Sequence, residues 1–263
     1  MSAGVVVIDR GIPDGPVAPW LDPNTPIGLA SPRQGPEVLT WSRAWSNGAG
    51  LTDLIVLSRP RDGRQARGIA TLVAGSRPGV AATALVRHAN PLGLAAAAHV
   101  ALSETRSGSV AHRLIDEIIS LSVSGARLAR VTGLEDPQPS IWQHLSSILG
   151  RAKTVTFGPT PAVLPAGHTF ATGPGSTLLM GAGLETPEAV AVRARIEAEH
   201  VYAVPPVVEC ADAYGSRGIE FVLLSQRSAQ PTPWGTCRIC RTEIVGHVCP
   251  MCRVRSSRAE SAA

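Results

Sequence analysis

Apolar positions along this chain follow two rhythms. Val5-Val-Val-Ile8, Leu54-Ile-Val-Leu57 and Ile219-Glu-Phe-Val-Leu-Leu224 are short runs rich in β-branched residues, and they predict buried strands. Ile69–Ala74, closed by the turn residues Gly75-Ser-Arg-Pro-Gly79, predicts another. Thr154–Phe157, His168–Thr172, Ser176–Met180 and Val207-Val208 predict further short ones. Between these lie helical patterns. Asn90-Pro91 supplies an N-cap and a first-turn proline for a helix over 92–104. Ser107 or Ser109 caps a second, with Val110, Leu114, Ile118 and Leu121 on one stripe and Ile115 and Ile119 beside it. Its polar face is expected to carry Arg113, Asp116, Glu117, Ser120 and Arg127. Asp136-Pro137 opens a third, with Ile141, Leu145, Ile148 and Leu149 inward and Gly150 as its stop. A fourth starts at Thr186-Pro187-Glu188 and runs to about His200.

Prolines at 13, 16, 19, 23, 26, 32 and 36 interrupt both rhythms, so residues 11–36 are expected as an extended arm. It either wraps over the core or grips a neighbouring subunit with Trp20 as anchor, giving a homo-oligomer. The predicted organisation is therefore a proline-rich arm at 1–36, a mixed α/β main domain (α/β or α+β) at 37–227, a small module at 228–258 and a tail at 259–263.

Composition changes this picture little. The 263 residues are 44% hydrophobic, 4% aromatic and 17% charged, so aliphatic side chains carry the core and general disorder is excluded. Val5–Ile8 is too short and wrongly flanked for a signal peptide. Nor does any run reach the roughly 18 uncharged apolar residues of a membrane span. A cytoplasmic protein without membrane contact is expected. The net charge of +4 is unevenly placed, since residues 228–263 hold Arg238, Arg241, Arg253, Arg255 and Arg258 against Glu243 and Glu260.

Chemistry is legible in one place. Cys237-Arg-Ile-Cys240 is followed, after eight residues, by Cys249-Pro-Met-Cys252. Each two-residue gap lets a tight turn aim both sulfurs inward, so four thiolates can share one tetrahedral ion. This stretch, about 234–256, resembles the zinc-ribbon group of modules, which implies two knuckles around one zinc. Arg241 and Arg253 stand where a glycine often follows the second cysteine, so altered knuckle turns are expected. Iron can occupy the same four thiolates. His247 could replace a ligand and is placed outside the ligand set. A closed four-thiolate site has no open position for catalysis, so it is scaffolding, and the main domain is expected to fold without it.

Elsewhere the sequence excludes several site types. It lacks H-E-x-x-H, a P-loop and G-x-S-x-G, and Gly173-Pro-Gly-Ser-Thr-Leu178 lacks the last glycine of the dinucleotide fingerprint. Cys210, flanked by Glu209 and Asp212, reads as a buried small residue. The resulting expectation is a zinc-binding, non-enzymatic binding or assembly protein. Its basic ribbon would dock on nucleic acid or a protein partner through Arg238, Arg241, Arg253 and Arg255. An enzyme whose site residues are distant in sequence, and a structural subunit of a larger assembly, are the alternatives.

Overall fold

The computed structural model describes residues 2–255 apart from 23, 150, 151, 159, 166, 227–231 and 234. The tail expected at 259–263, the predicted stop at Gly150 and part of the linker at 230–235 lie outside the described residues. In chain order the elements are β1 (Ser2–Ile8), β2 (Ala18–Pro19), β3 (Ile27–Ala30), α1 (Gly35–Ala49), β4 (Leu51–Ser58), α2 (Gly63–Ser76), β5 (Ala81–Val86), α3 (Pro91–Glu104) and α4 (Gly108–Leu121). There follow β6 (Val123–Leu128), α5 (Ile141–Ile148), β7 (Lys153–Gly158), β8 (Ala162–Val163), β9 (Thr177–Met180), α6 (Pro187–Arg193) and β10 (His200–Ala203). The chain continues through α7 (Cys210–Tyr214), β11 (Gly218–Leu224), β12 (Gly235–Thr236) and β13 (Glu243–Ile244).

Two large sheets form beside a two-stranded β12-β13 pair, and alternation along the strands of the large sheets builds three apolar layers. The first sheet has the order β2-β3-β1-β4-β5 and is parallel except for β2. The second has the order β10-β9-β11-β6-β7-β8 and is mostly antiparallel. Val6, Ile8, Leu54 and Val56 pack with Val38, Ala66, Ile69 and Val73 of α1 and α2. Their neighbours Val5, Val7, Ile55 and Leu57 point the other way, onto α3 and α4, and share one core with Ala126, Leu128, Val155 and Val222 of the second sheet. The outer face of that sheet, through Leu178, Met180, Ile219, Phe221 and Leu223, is covered by α6. The order of layers is thus helices, sheet, helices, sheet, helix.

The middle layer explains the alanine run. Ala95–Ala98 of α3 are at most 1% exposed, because this helix touches both sheets and is apolar all round. Its N-cap is Asn90, whose side chain accepts from Gly93 N–H at 2.7 Å and donates to Gly125 O at 2.7 Å and Phe221 O at 3.2 Å. That residue ties the helix start to β6 and β11. Gly125 is required there, because a Cβ would sit 2.4 Å from Phe221 Cζ.

A mixed α/β fold with a cysteine cluster at its C-terminal end is what the sequence predicts. Several local expectations are corrected. Residues 168–172 form only an isolated bridge at Phe170, Val207-Val208 is not a strand, the helix opened at Thr186 ends at Arg193, and α5 is capped by Ser140 rather than opened at Asp136-Pro137. Residues 2–8 and 27–30 are strands of the first sheet, β1 being its middle strand, so the N-terminal segment is built into the main domain rather than standing off as an arm. Trp20 is 2% exposed and donates to Pro205 O at 3.4 Å in its own chain, so it is not an anchor for a neighbouring subunit. Residues 69–74 lie in α2 rather than in a strand, and Arg127 lies in β6, α4 having ended at Leu121. Finally, Ile141, Leu145, Ile148 and Leu149 face solvent, while Ser147 on the opposite side of α5 is buried. Among the described residues no helix is long and apolar enough to cross a membrane.

Candidate ligand cleft and cysteine cluster

In the first sheet the chain leaves β1 towards β3 on one side and leaves β4 towards β5 on the other. Ligand crevices in open α/β sheets open at such a reversal, outside the carboxyl ends of the strands. Here those ends carry Asp9 and Arg10 after β1 and Arg59, Arg61 and Asp62 after β4. Asp9 is fully buried and accepts from Arg59 Nε at 2.6 Å, Arg61 Nη2 at 3.1 Å and Gly11 N–H at 2.9 Å. Asp62 accepts from Arg10 Nε at 3.3 Å, and Arg61 Nη1 donates to Ala213 O at 3.2 Å.

Four of the eight buried side-chain polar atoms that lack a hydrogen bond among the described residues fall in this one turn: Ser58 Oγ, Arg59 Nη2, Arg61 Nε and Asp62 Oδ2. Three of them are still held by ion pairs without the alignment of a hydrogen bond, Arg59 Nη2 against the Asp9 carboxylate and Arg61 Nε against Asp62 Oδ2 at 3.5 Å. Buried charges held by ion pairs without full hydrogen bonding cost free energy, and here they gather in one turn at the carboxyl ends of the strands.

The opposite wall comes from the second sheet. Tyr214 of α7 stacks on Phe157 of β7 with centroids 4.9 Å apart, and the Arg59 guanidinium lies 5.2 Å over the Tyr214 ring. Tyr214 donates to Glu220, which also accepts from Leu92 N–H at the start of α3, at 3.3 Å. Burial pushes the Glu220 carboxyl up to about 8, against the pull of Tyr214 and Arg59, with Asp9 adding to the rise. Burial works against the Arg59 charge, but Tyr214, Asp9 and Glu220 outweigh it and hold the guanidinium protonated. Asp62 is shifted up, first by burial and then by Asp9.

Between the walls is a cleft of about 60 Å³ lined by Arg59, Arg61, His88, Ala89, Phe157 and Tyr214. Larger hollows are open grooves: one of about 500 Å³ near Arg10, Asp14 and Arg33, and one of about 600 Å³ between the cysteine module and the first sheet. The small cleft is the better candidate because it joins the buried Arg59 and half-buried Arg61 guanidinium groups to an aromatic floor. In the sequence alone, Arg59-Pro-Arg-Asp-Gly-Arg64 reads only as a break after the strand at 54–57. A signal was present: two apolar strands, 5–8 and 54–57, each run directly into charge.

The cysteine cluster forms as its spacing predicts. Cys237 and Cys252 Sγ lie 3.4 Å apart, Cys240 and Cys249 Sγ 3.5 Å apart, and all four within 4.8 Å of one another. A tetrahedron with metal–sulfur bonds of about 2.3 Å has edges of about 3.8 Å, so the sulfurs fit one ion. Both knuckles close alike, Arg241 N–H on Cys237 O and Arg253 N–H on Cys249 O, each at 2.9 Å. The turns are not altered as expected: Arg241 (φ 62°) and Arg253 (φ 61°) adopt the left-handed backbone that glycine takes freely, at a cost of about 1–2 kcal/mol each. Arg238, Arg241, Arg253 and Arg255 are all exposed, and His247 lies outside the sulfur group. Cys210 is buried, and burial raises its thiol far above the ordinary range, in keeping with an inert residue.

No family model matches the sequence, and no curated protein matches it significantly. Solved structures do match its fold. A DegV family protein from Corynebacterium glutamicum superposes with a TM-score of 0.57 at 12% identity, over 87% of this chain and 98% of that one. The fold is DegV-like. A DegV family protein from Eubacterium eligens loaded with heptadecanoic acid gives 0.55 at 10% identity, over 86% of this chain and all (100%) of that one. A Thermus thermophilus DegV family protein described for its fatty acid binding gives 0.55 at 12% identity, with 86% and 100% covered. These proteins are matched over almost their whole length, while part of this chain is left over.

The comparison corrects the expected function. Two of these three proteins are described by fatty acid binding, so nucleic acid or a protein partner docked on Arg238, Arg241, Arg253 and Arg255 is set aside. A homo-oligomer through the N-terminal arm is set aside too, since that segment is built into its own sheet.

Proposed function

We propose that this chain binds a carboxylate-headed apolar molecule of the fatty-acid class, with the head at Arg61 and the first carbons over Phe157 and Tyr214. The observation that carries the reading is the juxtaposition in one cleft of the half-buried Arg61 guanidinium, whose Nε makes only an ion-pair contact with Asp62 at 3.5 Å, with a stacked aromatic pair. An arginine fork suits a carboxylate, and an aromatic floor suits the methylenes next to it. The ligands named for DegV-like neighbours support the same class. The cleft of about 60 Å³ holds a head group, and a full acyl tail requires α7 and the loop at 133–136 to move apart. The cysteine cluster is proposed to hold zinc in a structural role, because four thiolates complete its shell.

Organic extraction of purified protein followed by mass spectrometry, and titration of delipidated protein with palmitate, test the ligand. A bound acyl chain and a saturable isotherm are expected, with Arg61→Ala weakening affinity by about 10-fold or more, as loss of a charged hydrogen bond implies. Neither extracted lipid nor a saturable isotherm in the parent protein would sink the reading.

A further inference from the structure

The cysteine module is seated on the main domain, and the register shows where. Asp53 of β4 stands opposite Ala81 of β5, Ile55 opposite Thr83 and Leu57 opposite Leu85. Ile55, Leu57 and Leu85 face α3 and α4, so Asp53, Ala81 and Thr83 lie on that same face, at the edge of the sheet. Ala81 packs against the cluster of Cys237, Ile244, Cys249 and Met251. Thr83 Oγ1 donates to Pro250 O at 3.0 Å, and Thr242 Oγ1 donates to Asp53 Oδ1 at 2.8 Å. The module also touches α4 through β13. It therefore occupies the place in the middle layer that a further helix would take, covering the part of β5 that α4 leaves bare.

Asp53 makes the fit exacting. It is 2% exposed, and the start of α4 presses on it so closely that a Cβ on Gly108 would sit 2.3 Å from Asp53 Cβ. Its remaining partners are its neighbour Thr52 and the Gly108 backbone, so among the described residues Thr242 is the one partner of Asp53 on the module. The module itself has little to hold it together. Two of its four fully buried apolar residues, Cys237 and Cys249, are the proposed ligands. Without an ion so small a core does not offset its chain entropy.

We infer that the metal centre is a clamp on the first sheet: an ion in the four thiolates holds Thr242, Pro250 and Met251 over the edge of β5, and losing it uncovers that edge while the rest of the fold persists. The inference rests on the metal reading above. Linkage makes the coupling reciprocal, so the sheet contacts in turn tighten the hold on the ion.

Hydrogen exchange on the full-length protein, zinc-loaded and after chelation under reducing conditions, reads the clamp directly. Chelation is expected to strip protection from 81–86 and 108–112 and to leave 123–128 and 218–224 unchanged. Release of zinc to a chromophoric chelator reads it from the other side. Thr242→Val and, separately, Thr83→Val should each release zinc on the order of tenfold faster than the parent, as loss of a buried hydrogen bond implies. If zinc is bound but β5 exchanges alike with and without it, or if both variants release zinc at the parental rate, the clamp is overturned and the metal reading stands. If fresh, reduced protein contains no stoichiometric metal, both fall.

Discussion

At the scale of single residues, what the sequence conceals is pairing between distant charges. Cys237, Cys240, Cys249 and Cys252 were legible because their chemistry is local: the spacing alone brings the sulfurs together. Asp9, Arg59 and Glu220 were not, because each reads as an ordinary polar position in or after a strand until the two sheets face each other. Glu220 stands between Phe221 and Ile219 on β11, and alternation turns it inward beside Val222 and the start of α3. Its cost follows from its titration. The carboxyl is held at about 8 in the fold against an ordinary 4.5, so between those values the native state keeps a proton that the unfolded chain has released. Stability from this group is therefore complete below pH 4.5 and is lost as pH rises through 8, with a slope of at most about 1.4 kcal/mol per pH unit. Glu220→Gln keeps an acceptor for Tyr214 and cannot titrate. Urea midpoints measured at pH 5, 6.5 and 8 should fall less with pH in this variant than in the parent. Parallel falls would show that Glu220 does not titrate in that window.

At the scale of elements, short apolar runs are ambiguous, and length decides them. Ile69, Thr71 and Val73 alternate as in a strand, yet Ala66, Ile69, Ala70 and Val73 are also spaced for one face of a helix, and these are the residues buried in α2. Reading outward to Gly63 and Ser76 would have favoured the helix. The end of α4 was hidden for another reason: Ser122-Val-Ser-Gly-Ala-Arg127 has weak strand preference, and it pairs because β7 and β11 flank it. In α5 the apolar stripe was legible but its direction was not. Ile141 and Ile148 are 76% and 56% exposed, whereas Leu114 of α4 is 1% exposed. Ile141→Ser and Ile148→Ser should each change stability by no more than about 0.5 kcal/mol, while Leu114→Ala should cost about 2–5 kcal/mol. Chemical denaturation of the three variants checks this. A loss at Ile148 comparable to that at Leu114 would mean that α5 is packed inward after all.

At the scale of the whole molecule, chain order misleads because the first strand is the middle one. Seven prolines between 13 and 36 made the N-terminal segment look detachable. Pro13, Pro16, Pro26 and Pro32 lie in the connections around β2 and β3, Pro19 in the edge strand β2 and Pro36 in the first turn of α1, and the sequence before them, Val5–Ile8, pairs with β3 on one side and β4 on the other. Val5 and Val7 enter the middle layer, Val6 and Ile8 the outer one, so β1 serves two cores at once. Deleting 1–36 removes that strand and also removes Asp9, leaving the Arg59 charge buried without its carboxylate. Breaking a buried ion pair on one side costs about 3–5 kcal/mol, a large part of the roughly 5–15 kcal/mol that holds a domain folded, before the lost apolar burial is added. Ending the chain at Gln226 instead leaves both sheets whole. Thermal unfolding followed by circular dichroism should therefore show no cooperative transition for a chain starting at Glu37, and a cooperative transition at reduced temperature for a chain ending at Gln226. A monomer starting at Glu37 that melts cooperatively would place the N-terminal segment outside the core and undo the layer order described above.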